Sequence, residues 1–258
     1  MKSLRHSQGG FTLVEMMVAL ALGLMLSVVI AQLFSNTRVA NLATEDAGRV
    51  QESMRYANDA LGRTIRIAGY KSDPTAVSST VFPAAAPALD DSNGAGTASD
   101  MLIVRFQGAG TAPSTADSTI LDCLGTPVAP DFVGINKSYN KFSIAPGADG
   151  RNALFCSTDP LVNPGTELVP GVEAMQVLLG EDTTADGAAD RFLPPGTAGL
   201  NVDNVVAVRV YLLFAGRENV RIDASAQTFT LAGVAYNYAD RKIRRVMTNT
   251  VALRNRAP

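Results

Sequence analysis

The stretch Gly9-Gly10-Phe11-Thr12-Leu13-Val14-Glu15 opens an apolar run in which no charged residue occurs from Met16 through Thr37. As an α-helix, Met16 to Phe34 rises about 28 Å, close to the hydrocarbon thickness of a bilayer, so the sequence predicts one membrane span. Lys2 and Arg5 precede it. By the positive-inside rule they keep the N-terminus cytoplasmic and send everything after Arg38 across the membrane. Glu15 lies just inside the apolar run, where an unpaired ionised carboxylate is costly, so it marks a function. A secretory signal peptide is the competing reading. Val29-Ile30-Ala31 would be its cleavage site and Gln32 the mature start, but an export signal has no use for a buried acid.

The remaining composition narrows the chemistry. The chain has 258 residues, with 22 Lys+Arg against 24 Asp+Glu and 47% hydrophobic residues, too balanced for a nucleic-acid protein and too apolar for a disordered one. Its single histidine, His6, sits in the short basic leader. Without that leader, Ser and Cys triads, His-based zinc sites and imidazole acid/base chemistry all lose their usual residue, so no enzyme is expected. Charge is uneven: residues 90–200 hold 5 basic and 14 acidic groups, residues 201–258 hold 9 and 4. Such poles suit contacts with similar subunits, although solvated loops and a solvated edge strand account for them too.

No proline occurs before Pro74, so nothing interrupts a helix beginning at Phe11. Beyond the span, Ala43, Ala47, Val50, Met54, Ala57, Leu61, Ile65 and Ala68 recur at gaps of three and four, the single stripe of a helix laid on a sheet. Gly48 and Gly62 are plausible bends and Gly69 a natural stop. Residues 71–100, rich in Pro, Ala, Ser, Asp and Gly, read as an irregular connection. Strands are expected at Met101 to Phe106, Ala153 to Cys156, Gln176 to Leu179, Val205 to Phe214, Thr228 to Leu231 and Arg245 to Leu253. The fold class is therefore α+β. A long N-terminal helix, membrane-spanning in its first half and amphipathic in its second, packs on an antiparallel sheet domain.

Cys123 and Cys156 both fall in the exported part, where an oxidising compartment lets them pair. Asp182, Thr184, Asp186, Gly187 and Asp190 occupy positions 1, 3, 5, 6 and 9 of a Ca²⁺-type loop, but position 12 is Leu193 and the bidentate glutamate is missing. An acidic surface turn is the preferred reading, Ca²⁺ the alternative, and no other cofactor is expected. Arg241, Lys242, Arg244, Arg245, Arg254 and Arg256 form a basic C-terminal end. A solvated edge or a subunit contact explains it better than phosphate, so no direct nucleic-acid partner is expected.

The N-terminal residues carry a resemblance. Gly9-Gly10-Phe11-Thr12-Leu13-Val14-Glu15, behind a ten-residue basic leader, resembles the class III signal of type IV prepilins and type II secretion pseudopilins. The resemblance implies that a membrane aspartyl peptidase cuts after Gly10 and methylates the new N-terminus at Phe11. It also makes Glu15 the acidic residue of the fifth mature position, which acts in assembly. Farther on, Gly171-Val172-Glu173-Ala174-Met175-Gln176-Val177, the turn through Asp190, Val205-Val206-Ala207-Val208-Arg209-Val210 and Arg244 to Asn255 resemble the PilW minor pilins, whereas residues 71–165 match nothing placed. Thr184 departs from the family's commoner Asp-rich turn.

The implied organisation is a leader (1–10), a helix (11–70, span 11–34) and an exported β-rich domain (71–258). The implied function is a minor pilin in a complex that primes pilus assembly near the fibre tip, supporting twitching motility, adhesion or DNA uptake. The implied partners are other minor pilins, the major pilin, a tip adhesin, the prepilin peptidase and the inner-membrane assembly platform. The chain would sit in the bacterial inner membrane with its C-terminus periplasmic, then in the fibre. A J-type pseudopilin of type II secretion has the same architecture, and a secreted binding domain released after Ala31 is the third reading.

Intact-mass analysis of the mature chain is expected to give a methylated start at Phe11, and Gly10→Glu to leave the full-length precursor in the membrane, because the peptidase must approach the backbone at a residue without a side chain. A start at Gln32 would refute the prepilin reading.

Overall fold

Without proline to stop it, the apolar run continues as one helix. In a computed structural model describing residues 10, 12–83, 87–111, 115–132, 137–221, 223 and 225–255, α1 spans Leu13–Arg66, 54 residues. The chain divides into two units, residues 1–45 and 46–258. In the first unit the apolar side chains of α1 are exposed on every side, as a helix surrounded by lipid requires. In the second unit only one stripe is apolar. Val50, Ala57, Leu61, Ile65 and Ala68 are buried there, and Met54 packs against the same core. Neither Gly48 nor Gly62 ends the helix. It stops before Gly69, whose N–H donates to the Arg105 carbonyl at 3.0 Å.

Three antiparallel sheets follow. A five-stranded sheet has the order β1-β2-β3-β4-β5, formed by Leu89–Ser92, Met101–Phe106, Ser138–Pro146, Asn152–Ser157 and Thr166–Pro170. A four-stranded sheet has the order β11-β8-β6-β7, with β6 at Val172–Glu181, β7 at Arg191–Leu193, β8 at Val205–Ala215 and β11 at Arg244–Ala252. The hairpin β9 (Gln227–Leu231) and β10 (Val234–Tyr238) forms a separate ribbon. The segment expected to be irregular thus holds β1 and a short helix, α2 (Ser78–Val81). Five strands, β1, β3, β5, β7 and β10, lie outside those read from the sequence.

Both large sheets feed one core, in which Leu102, Phe142 and Leu154 meet Met175, Leu179, Leu212 and Phe214 around the α1 stripe. The chain passes from one sheet to the other at Gly171. Its N–H donates to the Asn152 carbonyl at 2.9 Å, its own carbonyl accepts from Ala215 N–H at 2.8 Å, and its φ is +78°. A Cβ there would press on the Ala215 carbonyl and would need a backbone region that side chains disfavour. This corner is why a glycine immediately precedes β6.

Cys123 and Cys156 are bonded, with Cα atoms 6.4 Å apart and a sequence separation of 33, tying the turn around Cys123 to β4. The backbone N–H of Cys123 also donates to Oδ1 of Asn140, a fully buried side chain on β3, at 2.8 Å. Closing that loop stabilises the domain by about 3–4 kcal/mol in the chain-entropy account.

Asp46 is a buried charged residue of α1. It is 3% exposed, and its carboxylate accepts from Arg217 N–H at 2.8 Å and Glu218 N–H at 3.4 Å, closing the loop after β8 onto the helix. Gly216 leaves room for it, since a Cβ there would collide with that carboxylate. Asp46→Ala is expected to leave two half-buried backbone donors without an acceptor and to cost about 1–3 kcal/mol. The check is thermal unfolding of the full chain in detergent, with the melting temperature lowered by about 2–10 °C.

Candidate functional site

The N-terminal site is built on the first turn of α1. Gly10 is exposed, and Phe11 lies outside the described residues. Thr12 precedes the helix, and its Oγ1 accepts from the Glu15 backbone N–H at 3.2 Å. Thr12-x-x-Glu15 is the spacing of a helix-capping box, a signal legible in the sequence that had not been drawn from it. The cap fixes where the helix starts and so aims Glu15 from its first turn. Around it Leu13, Val14, Met16 and Met17 are 61–76% exposed and purely apolar. Among the described residues none pairs with the Glu15 carboxylate, so the chain presents a lone acid on a greasy cylinder.

The acidic turn is closed by its own backbone. Asp182 accepts from the N–H groups of Thr184, Ala185 and Gly187 at 3.0, 2.6 and 2.7 Å, and Asp190 accepts from Thr183 N–H at 2.7 Å and Thr183 Oγ1 at 2.8 Å. Burial works against ionisation of Asp182, but those amides outweigh it and hold its carboxyl below the ordinary range. The Thr183 hydroxyl and N–H do the same for Asp190. Asp186 turns to Ala188 N–H at 2.8 Å. Thr184 Oγ1 sits near both Asp182 and Asp190 at 3.3–3.5 Å. The oxygens that would converge on Ca²⁺ face these donors, and among the described residues no group of three His, Cys, Asp or Glu side chains is placed to hold a metal.

The basic C-terminal end is not one surface. Arg256 lies outside the described residues, while Arg241, Arg245 and Arg254 are exposed. Arg244, grouped with them in the sequence, is withdrawn: its side chain is 1% exposed. It donates from Nε and Nη2 to Glu173 at 2.6 and 2.9 Å and from Nη1 and Nη2 to Asp240 at 2.5 and 2.7 Å. Its guanidinium also stacks 3.6 Å from the centroid of the Tyr238 ring. One arginine thus ties β6, the end of β10 and the start of β11 together. The hydrogen bonds from Arg244 lower the Asp240 carboxyl to about 2. Burial and the neighbouring Glu173 carboxylate push the Tyr238 phenol up. Sequence reasoning missed this cluster because its charges are 71 residues apart, with only their opposite signs as a clue.

Comparison with known proteins matches residues 141–255 to the family Type IV Pilus-assembly protein W and residues 5–31 to the prokaryotic N-terminal methylation motif. No curated protein matches. Among solved structures, a type IV-like pilin from Thermus thermophilus is similar at 14% identity and TM-score 0.46, over 81% of this chain and 99% of that one. The two family matches bear out the resemblance to PilW, and the matched span starts upstream of Gly171, where the resemblance itself began. It contains Glu173, Asp240 and Arg244.

Asp240 is ionised more readily in the folded chain than in the unfolded one, where its value is 3.8. Its contribution is present above about pH 4 and is lost as pH falls toward 2. Urea midpoints are expected to decline over that window and to decline less in Asp240→Asn. Arg244→Ala, which strands Glu173 beneath the hairpin, is expected to cost about 3 kcal/mol at neutral pH.

Proposed function

We propose that this type IV pilin-like chain is a minor pilin that joins other minor pilins in a complex priming pilus assembly near the fibre tip, in support of twitching motility, adhesion or DNA uptake. The observation that carries the reading is Glu15, a carboxylate in the first turn of a helix whose exposed apolar surface offers it nothing to pair with. In hydrocarbon an ionised carboxylate needs a cation. Within a bundle of parallel pilin helices, the nearest one is the N-terminal amine of a neighbouring subunit, freed at Phe11 when the leader is cut after Gly10. Pairing relieves the desolvation of both ions and does so at one axial register only, so a local charge becomes a docking signal.

The same reading accounts for location. Before assembly the chain sits in the inner membrane through α1, with the leader cytoplasmic and the domain periplasmic. The peptidase acts there, the assembly platform lifts the helix from the bilayer, and the major pilin and a tip adhesin follow as fibre partners. The β-rich domain then serves as a binding surface rather than a catalyst, and Ca²⁺ is not required for its acidic turn.

Glu15→Val is expected to be cleaved, inserted and disulfide-bonded like the parent, yet to give at least about tenfold less crosslinking to other minor pilins, as the loss of a paired, desolvated charge implies. It should also fail to restore surface pili to a strain lacking the parent. Equal assembly by that variant refutes the reading. Normal piliation with loss of protein secretion in the deletion strain would assign the chain to type II secretion instead.

A further inference from the structure

The sheet edges of the exported domain are not treated alike. On the β6 side of the four-stranded sheet the ladder is closed by side chains. Asp100 N–H donates to the Met175 carbonyl at 2.9 Å, Ser99 Oγ accepts from Met175 N–H at 3.1 Å, and the Asp100 carboxylate accepts from Val177 N–H at 2.7 Å. The other edges are short: β1, β5 and β7 have 4, 5 and 3 residues. β11 is an edge strand of 9 residues that pairs with β8 from Arg244 to Ala252 in unbroken register.

The register decides which groups of β11 face outward. Leu253 N–H donates to the Val206 carbonyl and Gly216 N–H to the Ile243 carbonyl, so the odd-numbered residues bond β8. The N–H and C=O groups of Val246, Thr248 and Thr250 therefore point away from the sheet, and among the described residues nothing pairs with them. All three residues are exposed, two are threonine and one is valine, and among the described residues no proline, bulge or covering segment blunts the row. Proteins ordinarily protect such an edge.

The flanking charges select what fits there. Arg245 near one end and Arg254 beyond the other are exposed, and among the described residues no carboxylate pairs with either. A second copy of this strand, laid antiparallel and centred on Thr248, brings its own Lys242 and Arg254 to the ends where these cations already stand, and like charges so placed are destabilising. We propose that β11 is an acceptor edge on which a different pilin-type subunit adds one extended segment of its exported domain, with carboxylates flanking a β-branched stretch. The strand from Arg245 to Ala252 runs about 23 Å, which sets the length of segment that can lie along this edge.

The proposal rests on the minor-pilin reading, and its test separates the two. In cells, the full-length chain with a photoreactive phenylalanine at Ala252 is expected to give a light-dependent adduct whose partner peptide, by mass spectrometry, is an extended, acid-flanked segment of another pilin-type chain. Thr248→Pro or Val246→Pro should cut that adduct at least tenfold while leaving the melting temperature of the purified protein unchanged, because neither residue donates to β8. Asn249→Pro, in the row that does, should lower it. An adduct only with a second copy, an adduct on a helix, no adduct, or an adduct untouched by folded proline variants overturns the proposal. If both proline variants lose the fold, the identity of the parent's crosslinked peptide decides. Glu15→Val is run alongside: if it assembles normally the minor-pilin reading fails, and if it fails while a folded Thr248→Pro chain keeps its adduct, only the acceptor edge fails.

Discussion

One apolar stripe on α1 holds the β-rich domain together. Val50, Ala57, Leu61, Ile65 and Ala68 meet side chains from both large sheets, so the five-stranded and four-stranded layers share a single core. Each sheet alone would leave an apolar face wet, and the shared helix stripe lets both be buried at once. Asp46 and Arg244 fasten the periphery of that arrangement, one at the loop after β8 and the other beneath the hairpin. The requirement on α1 also changes along its length. Before Phe34 it is apolar all round, and beyond Asp46 it is apolar on one side. A single uninterrupted helix therefore meets two different surroundings.

The parts of this fold that were legible in the sequence are those in which periodicity coincides with burial. The stripe from Val50 to Ala68 and the strands β2, β4, β8, β9 and β11 follow local patterns of apolar or β-branched residues, and the structure places them within a residue or two. β3 was not legible because it puts Asn140 and Lys141 in the interior, and nothing local says that Cys123, Asn163 and Val162 will satisfy them. β1, β5 and β7 are too short to show a period. β6 was read at less than half its length because Glu173 and Gly180 interrupt its apolar run, and nothing local marks Gly171 as the corner between two sheets.

The candidate site divides the same way. Gly10, Phe11 and Glu15 sit in one contiguous segment, so the resemblance that singles them out depends on no residue distant in sequence. The disulfide follows from having two cysteines in one compartment, and the structure joins them. In the acidic turn five positions agree with a cation loop, and Asp182 and Asp190 accept backbone amides, a pairing that spacing alone does not show. Arg244, Asp46 and Asp100 were invisible for one shared reason. Each is a charged residue whose meaning depends on partners tens to hundreds of residues away, and local sequence treats every such residue as solvated.

Asp46 reaches Arg217 across 171 residues, and Asn255 donates to the Ala68 carbonyl across 187. β11, the last strand, supplies the outer rung of the sheet that begins with β6. The helix is thus the first element to be made and among the last to be secured. Contacts of such high sequence separation cannot form until nearly the whole chain is available, which slows folding and delays its completion. Until then the α1 stripe is exposed and vulnerable to proteases and to wrong partners. A subunit wired in this way tests its own completeness, because a chain truncated shortly after β8 retains its anchor but never closes its domain.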